Sequence, residues 1–98
     1  MKTYLLTYQM TPWFNYSAFY EKLKQKFAEH RHIVENSWII RTNCTAVDII
    51  SELKPFMNFE QKNRITQDQI FCFELKDGFD YAGYGATSTH EYIKIEQK

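Results

Sequence analysis

The chain has 98 residues, 44% of them hydrophobic and 24% charged, and its twelve Lys and Arg residues balance twelve Asp and Glu. A single domain is expected, because a second core needs roughly 50 further residues, and the apolar content excludes an intrinsically disordered chain. The charge balance excludes a global field drawing the chain to nucleic acid or an anionic membrane. No apolar run approaches a membrane span of ~20 residues, and the amino terminus is too short and polar for a signal h-region, so a cytoplasmic protein is expected. Aromatics reach 17%, enough for a few large side chains to fill a small core.

Residues 3–8, Thr-Tyr-Leu-Leu-Thr-Tyr, are strand formers of a length suited to a central strand. A turn around Pro12 follows, with Asn15 or Ser17 available to cap a helix from Tyr16 to near His30. On it Tyr16, Phe19, Tyr20, Leu23 and Phe27 recur at helical steps, with lysines on the other face. Residues 32–35 and 37–42 read as an antiparallel pair turning at Asn36. Thr45-Ala-Val-Asp48 has capping-box spacing, and Val47, Ile50 and Leu53 predict the apolar stripe of a second helix that Pro55 stops by Lys54. Phe56, Met57 and Phe59 are placed beneath the following polar loop, residues 60–67. Gln69-Ile-Phe-Cys-Phe-Glu-Leu75 is a fourth strand, closed by a turn at Asp77-Gly78. Beyond Phe79 the pattern fits an irregular edge segment, and residues 88–96 suit either a short capped helix or a strand. The order strand, helix, strand, strand, helix, strand predicts one α+β domain over residues 1–98, a ferredoxin-like βαββαβ antiparallel sheet with both helices on one face.

Three local patterns resemble the CRISPR-associated Cas-two-like family, especially its stand-alone SinR-family relatives. They are Lys2-Thr-Tyr-Leu-Leu-Thr-Tyr8 followed by Asn-Tyr-Ser17, Glu35-Asn-Ser-Trp-Ile-Ile-Arg-Thr-Asn43, and Tyr81-Ala-Gly-Tyr-Gly85. The middle one is the most specific, and together they span most of the chain. The resemblance implies a ferredoxin-like subunit pairing into a homodimer. In nuclease-type relatives the first strand ends in an aromatic residue and an Asp, and the symmetry-related carboxylates hold a divalent metal. The corresponding positions here are Tyr8 and Gln9. A neutral amide is a weak oxygen ligand that brings no charge to Mg²⁺, so the resemblance extends to the scaffold and leaves the metal-nuclease role in doubt.

Other candidate chemistry competes with simpler structural roles. His30 and His32 lie two apart, so a strand points both to one face, but a metal site needs a third ligand. Lys22, Lys24, Lys26 and Arg31 form the one local basic cluster, a candidate phosphate track or a solvated helix face interrupted by Glu21 and Glu29. Trp13, Phe14, Tyr81 and Tyr84 suit base stacking, packing or pairing of subunits, and Phe79, Tyr81 and Tyr84 mark an expected dimer or partner surface. Trp38 is expected in the core, and Cys44 and Cys72 as reduced structural thiols. Ser37, Ser88 and Gly83-Tyr-Gly85 match no nucleophile or dinucleotide signature.

No catalytic residue, metal or cofactor is assigned. The expected function is a non-enzymatic homodimeric interaction module with modest, sequence-nonspecific binding of RNA or DNA. Two alternatives stand beside it: an endonuclease whose metal acid has moved to Glu35, Asp80 or Glu91, and a small regulator or antagonist that binds a protein partner only.

Overall fold

The computed structural model describes residues 1–10, 15–58 and 68–84. The expected turn at Pro12, the loop at 60–67 with Phe59, and the alternatives for 88–96 fall outside them. The described elements run β1 (Lys2–Gln9), α1 (Ser17–Lys26), β2 (Glu29–Val34), β3 (Ser37–Thr42), α2 (Ala46–Leu53), a 3-10 turn (Lys54–Phe56) and β4 (Gln69–Leu75). The strands form one antiparallel sheet in the order β2-β3-β1-β4, an α+β architecture with two helices. No helix among the described residues is long and apolar enough to cross a membrane.

Side chains alternate across a strand with period two, and the register carries this alternation through the whole sheet. On one face Tyr4 lies between Ile40 and Glu74, Leu6 between Trp38 and Cys72, and Tyr8 opposite Ile70. On the other, Thr3 lies between Arg41 and Leu75, Leu5 between Ile39 and Phe73, and Thr7 between Ser37 and Phe71. The first face carries the core. Tyr4, Leu6, Tyr8, Trp38 and Ile40 are buried in one cluster with Phe19, Leu23 and Phe27 from α1 and its cap and Ile49 and Leu53 from α2. Each such side chain contributes about 1.5–3 kcal/mol on full burial.

α1 starts where predicted but ends at Lys26, short of His30. Phe27 is its C-cap, donating to the Leu23 carbonyl at 3.0 Å, and by Glu29 the chain has entered β2. Pairing with β3 sets this earlier start: Glu29 is opposite Arg41, held by a 2.9 Å ion pair, and His30 is opposite Ile40. β2 stops at Val34, with a bulge between His32 and Val34, and Glu35 and Asn36 make the turn into β3.

α2 opens on the expected capping box: Thr45 Oγ1 accepts the Asp48 amide at 3.2 Å, and Asp48 Oδ2 accepts the Thr45 amide at 3.4 Å. The stripe differs from the prediction, because Val47 is 74% exposed while Ile49 and Leu53 are buried. Pro55 turns the chain into the 3-10 segment, and Met57 beyond it is buried.

The start of β4 is tied down by Asp68, a buried carboxylate. Its Oδ2 accepts the Tyr16 hydroxyl at 2.5 Å and the Asn58 amide at 2.7 Å, while its own amide donates to the Asn58 carbonyl at 3.0 Å. After β4 the Phe79 amide donates to the Lys76 carbonyl at 3.0 Å, a turn whose third residue, Gly78, takes a φ of +74° that an L side chain resists. Removing the hydroxyl with Tyr16→Phe takes a donor from the buried Asp68 carboxylate, so urea denaturation should show a loss of about 1–3 kcal/mol with an unchanged m-value.

Candidate functional site

The carboxyl end of β1 separates Tyr8 from Gln9. Tyr8 turns into the core, where its hydroxyl accepts the Trp38 indole N–H at 2.8 Å and donates to the Glu35 carbonyl at 3.4 Å. Its ring meets Phe19 edge-on with centroids 5.2 Å apart. Burial pushes the Tyr8 hydroxyl pKa well above its ordinary value. Gln9 is exposed on the opposite face, directly across from exposed Gln69, so two carboxamides are paired at this end of the sheet. Of the substitute acids, Glu35 is exposed in the β2–β3 turn, Asp80 is exposed after β4, and Glu91 lies outside the described residues. Among the described residues no three His, Cys, Asp or Glu side chains converge on a metal-sized site.

The two histidines share the helix-covered face of β2, as their spacing requires, and they flank Trp38. The His32 ring stacks on the indole at 4.2 Å and 3° from parallel, and His30 lies tilted at 5.6 Å. His30 Nδ1 is 2.7 Å from the Phe27 carbonyl and His32 Nε2 is 3.0 Å from the Glu35 carbonyl, which makes each of these nitrogens a donor. His30 is half-buried and His32 exposed, so the two imidazoles line the rim of Trp38 at the β2 margin.

Two members of the basic cluster are brought together and Arg31 is set apart from them. Lys22 and Lys26 both reach across to Glu52 of α2, at 3.2 and 3.8 Å, Lys24 is exposed, and Arg31 belongs to the other face of the sheet, opposite Ile39. The lysines at helical spacing thus join the two helices. Of the expected partner surface, Phe79 and Tyr81 are half-buried and Tyr84 is fully exposed, all in a stretch without regular structure. Trp13 and Phe14 fall outside the described residues. Cys44 and Cys72 are free thiols, and burial pushes Cys72 up to about 12.

The face opposite the two described helices holds what the sequence pattern did not reveal. At its centre Thr3 and Ile39 are buried, but on β4 Phe71 and Phe73 remain 51% and 54% exposed. Their rings are stacked, with centroids 6.4 Å apart and planes 20° from parallel. Period-two alternation at residues 71, 73 and 75 signals that these side chains share a face, and which face it is follows only from the pairing with β1. Asp68 was equally hidden, at the end of a polar stretch and 52 residues from its Tyr16 partner.

Comparisons of the chain with protein-family models, curated proteins and solved structures find no significant match.

Two measurements probe these buried groups. Because native Tyr8 holds its proton at pH values where the unfolded chain releases it, stability is full below about pH 10 and falls above it, by up to about 1.4 kcal/mol per pH unit for this group. Denaturation midpoints across alkaline pH should fall less steeply in Tyr8→Phe. For Cys72, a pKa of about 12 leaves roughly a thousandfold less thiolate than an ordinary thiol at mildly alkaline pH. In a Cys44→Ser background it should react slowly with a disulfide reagent in the native protein and rapidly in urea.

Proposed function

We propose that the chain is a non-enzymatic, homodimeric interaction module on a ferredoxin-like scaffold of the Cas-two-like, SinR type, which presents the sheet face opposite its two described helices to a partner. The observation that carries this reading is the contrast between the two faces of the sheet. One is filled by both helices, while the other leaves two large aromatic side chains about half exposed on β4. Exposed aromatics of this kind are enriched at contact surfaces. The element order and the strand order support the ferredoxin-like assignment. Fully exposed Tyr84, just after β4, supports pairing of two copies through the segment it shares with Phe79 and Tyr81. Facing amides at Gln9 and Gln69 favour binding over metal-dependent cleavage, since neither supplies the negative charge that a divalent cation and its bound water need. Lys22 and Lys26 each pair with Glu52, which offsets part of the positive charge along α1.

Light scattering at several protein concentrations, together with a low-salt binding and cleavage panel over RNA and DNA with Mg²⁺ or Mn²⁺, tests the proposal. A dimeric mass that Tyr84→Glu reduces to a monomer with unchanged circular dichroism, and no cleavage by the native chain, are expected. A monomer at every concentration, or metal-dependent cutting that is lost on changing Gln9, would overturn it.

A further inference from the structure

We infer that Asp77 is a site of spontaneous covalent modification, at which the Asp77-Gly78 linkage closes to a succinimide and reopens as isoaspartate. The site stands on the turn that follows β4 and holds whether or not the chain pairs with a second copy. Of the three glycines only Gly78 follows an Asp or Asn residue, so here alone the attacking amide belongs to a residue without a side chain. Residues 77 and 78 lie beyond Leu75, the last residue of β4, and both are exposed. The turn is closed by the bond from the Phe79 amide to the Lys76 carbonyl, which leaves the Gly78 amide outside it. Among the described residues neither that amide nor the Asp77 carboxylate has a hydrogen-bond or ion-pair partner, and the adjacent cation, Lys76, is held by Glu74 at 3.2 Å. A Cβ built on Gly78 would meet no heavy atom within 4 Å, so nothing blocks the Asp77 side chain from swinging over the Gly78 nitrogen. Inside a strand or helix, ladder hydrogen bonds would hold the same amide and prevent this approach.

The Gly78 nitrogen attacks Cγ of the protonated Asp77 carboxyl. A nitrogen–carbon bond forms, and the carboxyl hydroxyl departs with the amide proton as water. Water then adds back at either carbonyl of the ring. Opening at Cγ restores Asp77, whereas opening at the backbone carbon leaves the chain running through Cγ and frees the α-carboxylate. The net change is an isomerisation that consumes no reagent but solvent. Isoaspartate places one more methylene in the main chain between Lys76 and Phe79, which no longer matches the four-residue geometry of the turn. The Phe79 bond to Lys76 is lost, and the chain from Phe79 to Tyr84 leaves β4 in a new direction.

The test is to hold the full chain in neutral buffer at physiological temperature for several weeks, label isoaspartate with an isoaspartyl O-methyltransferase and S-adenosylmethionine, and locate the label by peptide mass spectrometry. Label is expected at residue 77, accumulating within a few-fold of the rate in an unstructured peptide spanning residues 74–81. Asp77→Glu keeps the charge but demands a larger ring, and it should lose the label while retaining the circular dichroism of the parent. Hydrogen exchange at the Phe79 amide should be faster in the isomerised protein than in the fresh one. No label at residue 77 of the native chain, accumulation many times slower than in the peptide, label undiminished by Asp77→Glu, or unchanged Phe79 exchange after isomerisation overturns the inference.

Discussion

β1 is hydrogen-bonded along both edges, to β3 on one side and β4 on the other, and its two-residue period decides which side chains of all three strands meet the helices. Tyr4, Leu6 and Tyr8 point inward; Thr3, Leu5, Thr7 and Gln9 point outward. A slip of one residue in either pairing would exchange the faces, sending Trp38 and Ile40 outward or bringing Phe71 and Phe73 beneath the helices. The helices themselves depend on this choice. Both are short, and segments of their length are marginal in water unless an apolar face is packed against something.

The inward face is built largely from aromatics that carry polar ends, and these ends are satisfied at the rim of the core. Tyr4 donates to the Cys44 carbonyl at 2.8 Å, Tyr16 to Asp68 at 2.5 Å, and Tyr8 bridges Trp38 and the Glu35 carbonyl. The partners lie in the turn before α2, at the entrance to β4, and in the β2–β3 turn. Each hydroxyl thus holds a connection in place while its ring fills the interior, a combination aliphatic side chains do not offer. Small chains have little apolar volume to spare, so this dual use is well matched to 98 residues.

Elements governed by local chemistry were legible in the sequence. β3, β4, the Thr45–Asp48 capping box and the break at Pro55 follow from β-propensity, alternation and the lost amide of proline, and each is where those rules place it. Elements governed by tertiary pairing were not. The helical period through Phe27 gave no sign that Glu29 would be drawn into a strand by Arg41 and Ile40, and the outward turn of Val47 depends on where α2 lies over the sheet. The same division holds at the site. Tyr8 and Gln9 were singled out through the family resemblance at the end of the first strand, whereas the exposed pair on β4 and the Asp68 tie became visible only once distant segments were brought together.

The bulge between His32 and Val34 bears on what the sheet can join. A bulged strand twists more strongly and breaks the regular spacing of its outward amides and carbonyls. β2, at the opposite margin of the sheet from β4, combines this irregularity with a Glu-His-Arg-His run. An incoming strand therefore meets a poor template there, and charged residues discourage the edge-to-edge stacking that leads to aggregation. Among the described residues the two borders of the sheet therefore differ, β2 being the less regular template for a new strand and β4 the more regular one.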